Sequence, residues 1–155
     1  MRIKAIPIPR IERSPAVKGL TGLESRFWYA GPNNLDPDGH GVSCSAQRCM
    51  VSVGLDIRGF SIEAIAIANQ YVWSLGDGSV AITTGVPGSA SQPAVRYTYQ
   101  QKSPSGNPYR LSLVMTWAGT YNWEGYGDSG GGTVGPVDVE GTTSYPVIEV
   151  RGVLE

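Results

Sequence analysis

From Met50 to Ile57 the chain reads MVSVGLDI, and Val51, Val53, Leu55 and Ile57 alternate with Met50, Ser52, Gly54 and Asp56. A period of two sends successive side chains to opposite faces, so this run predicts a strand with one buried face. No segment keeps a convincing helical period. Arg58-Gly59 reads as a tight turn, and FSIEAIAIA, 60 to 68, as a second strand. Both faces of that strand are mostly apolar, Ser61 and Glu63 excepted, which suits a central place in a sheet. Further strands are predicted at 27–30, from Tyr71 to Leu75, at 95–99, at 109–117 and at 144–154, with Pro146 marking an edge or a strand start. The 21 Gly and 11 Pro of the 155 residues punctuate these runs, giving a turn cluster at 31–41 and loops at 85–93, 102–108 and 125–136. Short strands with regular turns predict one all-β domain, a sandwich or small barrel, over residues 26–155. Residues 1–25, broken by Pro7, Pro9 and Pro15, read as an extended lead-in arm.

Twelve basic and 13 acidic residues are spread without a basic stripe, so nucleic acid is not an expected partner. No apolar run reaches the ~18 residues of a transmembrane helix. The opening MRIKAIPIPRIERSP does not read as a signal peptide, because prolines and charges interrupt it. Cys44 and Cys49 are spaced C-x4-C, which fits neither a CxxC redox pair nor a complete zinc set. They form a disulfide across a hairpin or stay two free buried thiols; a disulfide implies an oxidising compartment.

Tyr71-Val72-Trp73-Ser74-Leu75-Gly76-Asp77-Gly78 is followed by Arg96-Tyr97-Thr98-Tyr99 and by Tyr109 at the head of an alternating Leu/Val strand. This order resembles the polycystic kidney disease (PKD) domain, an immunoglobulin-like β-sandwich with W-x-F-G-D-G, H-x-Y and G-x-Y-x-V-x-L segments. Leu75 stands for the Phe, and Asn107-Pro108-Tyr109 for the Gly-Thr-Tyr. The likeness extends over residues 20–154 to PKD-containing secreted and surface proteins of actinobacteria, through the segment Leu20–Trp28, Met115-Thr116-Trp117 and the tail from Val147. It implies an extracellular or cell-surface module with no cofactor and no catalysis, which mediates protein–protein contact or spaces other domains. Gly76 and Gly78 are then expected in a tight turn, with Asp77 accepting backbone N–H groups. Trp73 should fill the space between sheets, Trp117 should pack on its strand, and the Tyr99 hydroxyl should brace a crossover.

Three other patterns compete for function. Gly127-Asp128-Ser129-Gly130-Gly131, with His40 upstream, resembles the nucleophile segment of chymotrypsin-like serine proteases. A Ser nucleophile needs an oriented base, and both His40 and Ser129 fall in Gly-rich stretches read as loops, so a serine hydrolase is the remote alternative. Asn34, Asp36 and Asp38 before Gly39 resemble the start of a calcium loop, but Ser45 stands where the bidentate Glu belongs. An acidic surface turn is the first reading there and calcium the second. Tyr121, Trp123 and Tyr126 are candidate contact residues for a protein or a cell-envelope glycan, displayed on a loop at 118–136. The arm, residues 1–19, is a candidate for self-assembly by strand addition to a neighbour.

Overall fold

The computed structural model describes residues 6–149. Eleven strands and no helix are found among them. In chain order these are β1 (Ile11–Ser14), β2 (Gly19–Leu20), β3 (Glu24–Tyr29), β4 (Gly41–Cys44), β5 (Cys49–Ile57), β6 (Phe60–Ser74), β7 (Ile82–Thr84), β8 (Val95–Thr98), β9 (Tyr109–Gly125), β10 (Asp128–Tyr145) and β11 (Val147–Ile148). The larger sheet has the order β10-β9-β6-β5-β4, with β7 also on β6. A smaller sheet, β1-β3-β8, packs against it, and β11 pairs in parallel with β2. The protein is thus all-β, built of facing sheets and not closed into a barrel.

The apolar second strand lies where its composition puts it, between β5 and β9 at the centre of the larger sheet. It is longer than its sequence suggests. Residues 60–68 and 71–75, read as two strands, run as one strand to Ser74, with a register irregularity between Ala68 and Gln70. β9 likewise continues past Trp117 to Gly125.

The largest correction concerns the stretch read as a loop at 125–136 and the display loop at 118–136. Asp128 to Tyr145 is a single long strand, with one irregularity between Val134 and Val137. The final strand expected at 144–154 is therefore split. Tyr145 ends β10, Val147–Ile148 form β11, and residues 150–155 lie outside the described part.

One face of the larger sheet carries the core. Val51, Ala64, Ala66, Ala68, Tyr71, Trp73, Leu111, Leu113, Met115 and Trp117 are all buried and meet Phe27, Tyr29 and Val95 of the smaller sheet. Phe27 meets Tyr145 edge-on at 5.4 Å. Much of the lead-in arm belongs to this body. Ile11–Ser14 pairs antiparallel with Tyr29–Arg26, and the Arg13 guanidinium donates to the Ser144 carbonyl at 2.6 Å. The segment offered to a neighbour is, over these residues, paired within its own chain.

Candidate recognition surface

The GDG segment is a structural turn. Gly76 and Gly78 have φ near 84°, and a Cβ on Gly76 would stand 2.7 Å from the Arg110 backbone nitrogen and oxygen. The Asp77 carboxylate accepts the Ser79 N–H at 3.0 Å and the Tyr97 hydroxyl. Burial alone would raise the Asp77 pKa, but the hydrogen bonds from Ser79 and Tyr97 outweigh it and hold the group below its ordinary value. The same bond to Asp77, with some burial, raises Tyr97. Trp73 and Trp117 are buried in the core, as is Tyr99, whose hydroxyl bonds to the Leu75 carbonyl. These residues hold the fold.

Cys44 and Cys49 form a disulfide and are register partners at the β4–β5 hairpin, with Cα atoms 4.1 Å apart. Of the two states the sequence left open, the structure has the bridge.

The acidic turn before β4 bonds to its own backbone through one side-chain oxygen each of Asn34 and Asp36. Asn34 Oδ1 accepts the Val42 N–H at 2.8 Å, and Asp36 Oδ1 accepts the N–H groups of Asp38 and His40 at 2.9 Å each. Asp36, Asp38 and His40 each bring one potential metal-ligating atom within 4.8 Å of the others. The turn thus satisfies its own backbone, as Asx-type turns do.

His40 folds over Gly54 on the outer face of β5, and its Nε2 lies 2.9 Å from Glu63 Oε2. The hydrogen bond to Glu63 and the surrounding carboxylates raise its pKa, against a smaller opposing effect of desolvation. Across this face the partners run Gly54, Glu63, Asn122, Gly131 on β5, β6, β9 and β10. The imidazole is held at Glu63 on β6, and Ser129 lies two strands further across and two residues along, about 12 Å away between backbones. That is far beyond the reach of a base for its nucleophile. Ser129 is a strand residue rather than a loop residue, and its N–H bonds to Asp128 Oδ1 at 2.8 Å.

The aromatic cluster is the feature with recognition geometry. Tyr121 and Trp123 are on β9, and only Tyr126 is in a turn. The β5–β6 and β9–β10 hairpins end side by side. Arg58 and Gly59 have φ of 51° and 83°, and Tyr126 and Gly127 have 52° and 76°. Two consecutive positive φ values mark the tight hairpin turns that match strand twist, which is why each ends in Gly. The Tyr126 hydroxyl donates to the Arg58 carbonyl at 2.7 Å and ties the two tips together. Phe60 stands edge-on to Trp123 at 5.8 Å and to Tyr126 at 5.1 Å.

Beyond the smaller sheet, the four strands project as a shelf. From Val51 to Ile57 this is about 20 Å of strand. Its inner face continues the core face and carries Val53, Leu55, Ile57, Phe60, Ile62, Tyr121 and Trp123. Leu55 is 45% exposed, Ile57 49%, Phe60 36% and Tyr126 79%. The alternation in MVSVGLDI predicts one buried face; burial stops at Val51, and the distal half of that face is open. Towards the tip the opposite face is polar, with Ser61, Glu63, Asn122, Glu124 and Ser129 around an open cavity of about 410 Å³ that Trp123 and Gly130 also line, and the exposed Ile65 follows further along it.

Glycines on β10 make room for the aromatic rings. A Cβ on Gly130 would meet the Trp123 indole at 2.7 Å, and one on Gly132 the Tyr121 ring at 2.8 Å. Both rings therefore lie across the neighbouring strand. A signal for this was in the sequence. Counting outward from a turn at 126–127 pairs Tyr121 with Gly132 and Trp123 with Gly130, as the observed register does.

No model of a known protein family matches the chain, and no curated protein or solved structure matches it either.

Proposed function

We propose that this chain is a non-catalytic module, PKD-like in its sandwich, that makes protein contacts at a cell surface or outside the cell. The uncovered apolar face of the shelf carries this reading. Contiguous exposed apolar patches rimmed by polar residues mark interaction sites, because leaving them in water is costly. Aromatic side chains in the patch supply large contact area at little entropic cost. The PKD-like reading is supported by the GDG turn and the Tyr99–Leu75 bond. The extracellular reading is supported by the Cys44–Cys49 bridge.

A glycan-binding role is the second reading, favoured by the Tyr121 and Trp123 rings lying across Gly132 and Gly130. Flat rings can stack on the apolar face of a sugar. Aliphatic Leu55, Ile57 and Ile62 beside them favour protein instead.

A photo-crosslinking amino acid placed at Leu55, and in a second variant at Ser61 on the polar face, tests the proposal on cell envelopes of the producing organism. Discrete protein adducts from position 55 and none from position 61 are expected. Retention on isolated envelope polysaccharide, lost on Trp123→Ala, with no protein adduct from position 55, would overturn it.

A further inference from the structure

We infer that the occupant of the shelf is a second copy of the same chain, so that two projecting sheets pack face to face. This rests on the protein-contact reading above and specifies its partner.

The first argument is shape. Over the proximal half of the larger sheet, the smaller sheet supplies the second layer, and layers in sandwiches lie about 10 Å apart. At the shelf that layer stops. What fits the vacant step is one sheet thick, apolar towards the shelf and polar towards solvent. The shelf is itself such an element. Its inner face is Val53, Leu55, Ile57, Phe60, Ile62, Tyr121 and Trp123, and its outer face includes Ser61, Glu63, Asn122 and Glu124. A two-fold related copy would extend the two-layered arrangement and keep every polar outer side chain in water.

The second argument is charge. The inner-face side chains named above carry no formal charge. The nearest charges are at the tip, Arg58 in one turn and Asp128 beside the other. By register Asp128 shares this face with Gly130, at its distal corner, and is exposed; a second copy that leaves that corner at the rim buries no charge without a partner.

The third argument is area. Leu55, Ile57 and Phe60 are exposed by a third to a half and Tyr126 by 79%; at about 200 Å² a side chain these four offer roughly 400 Å² per copy, to which the half-buried Val53, Ile62, Tyr121 and Trp123 add their edges. Two copies would bury roughly 800–1,000 Å², the size of a weak, reversible interface, in keeping with association in the micromolar range.

Sedimentation velocity of the intact, disulfide-bonded chain over a range of concentrations tests the inference. Twice the chain mass is expected in the micromolar range, with the tryptophan emission shifting to the blue as the dimer forms. Ile57→Lys, at an exposed position, should raise the dissociation constant by at least about 100-fold, because it places a charge in the seam. Its near-ultraviolet circular dichroism should remain that of the wild type. Ser61→Lys, on the opposite face, should leave the dimer intact. A wild type that stays monomeric at every concentration would overturn the inference, as would a dimer indifferent to Ile57→Lys. A monomer that still gives adducts with another protein from position 55 sinks the homodimer and leaves the protein-contact reading standing. A monomer that gives no adduct sinks both.

Discussion

The Tyr99 hydroxyl donates to the Leu75 carbonyl at 2.9 Å, with both residues buried. The bond joins the end of β8, in the smaller sheet, to the residue that leaves β6 in the larger one. Around it Tyr97, Tyr99 and Tyr109 form a ring cluster, edge-on at 4.9 Å and stacked at 5.0 Å. Tyr99→Phe keeps the rings and strands the carbonyl. Urea denaturation should show a loss of about 1–3 kcal/mol, the cost of an unsatisfied buried polar group. Tyr29 is the control. Its hydroxyl is buried with no bonding partner among the described residues, so Tyr29→Phe should be neutral or slightly stabilising.

Asp77 makes stability depend on acid. Its pKa is held below the ordinary value in the folded chain, so its contribution is fully present above the unfolded pKa and fades as pH falls through the folded one. Urea midpoints measured from neutral pH down through the carboxylate range should fall less steeply in Asp77→Asn than in the wild type. The same slope in both would show that this carboxylate is not linked to folding.

Reduction of the Cys44–Cys49 bridge should destabilise the chain without unfolding it. The bridge closes a short loop, and the chain-entropy account gives about 2 kcal/mol for a ring of this length. The Cys44→Ala/Cys49→Ala variant should lose a similar amount by thermal or urea unfolding. The β4–β5 end of the sheet should exchange its amide protons faster.

The His40–Glu63 pair should titrate visibly. The folded pKa of His40 is raised, chiefly by the bond to Glu63. Its contribution is therefore fully present below the unfolded imidazole pKa and lost as pH rises through the folded one. His40 is the only histidine in the chain, so its imidazole resonances can be followed without assignment. Glu63→Gln should move the midpoint down. An unchanged midpoint would mean that the pair does not persist in solution.

Much of the sheet interior was legible in the sequence, because period-two alternation and two-sided apolarity are local signals. The 50–57 strand, the central place of the following strand, the GDG turn and the burial of Trp73 and Tyr99 all follow from residue type and order. The shelf was not legible in the same way. Gly130-Gly131-Gly132 has the local composition of a coil, and local propensity is what a single sequence shows. In the fold those glycines are strand residues because rings from the adjacent strand cover the positions their side chains would have filled. Leu55 and Ile57 mislead in the opposite sense. Alternation says which face is apolar, but not how far the covering layer extends. The pairing of His40 with Glu63, 23 residues apart, depends on a loop folding back over Gly54, and no local pattern announces it.

The strand order also dictates a sequence of events during synthesis. The β5–β6 hairpin has only neighbouring residues to bring together and can zip on the microsecond scale. β6 is the middle strand of the sheet, yet its inner partner, β9, begins at Tyr109 and completes at Gly125. At about 5–20 residues per second, β6 waits several seconds with one long edge unpaired and an apolar face uncovered. The central strand of the finished sheet is therefore the most exposed edge of the nascent one. The chain is at greatest risk of pairing with the wrong strand in the interval before Tyr109 emerges.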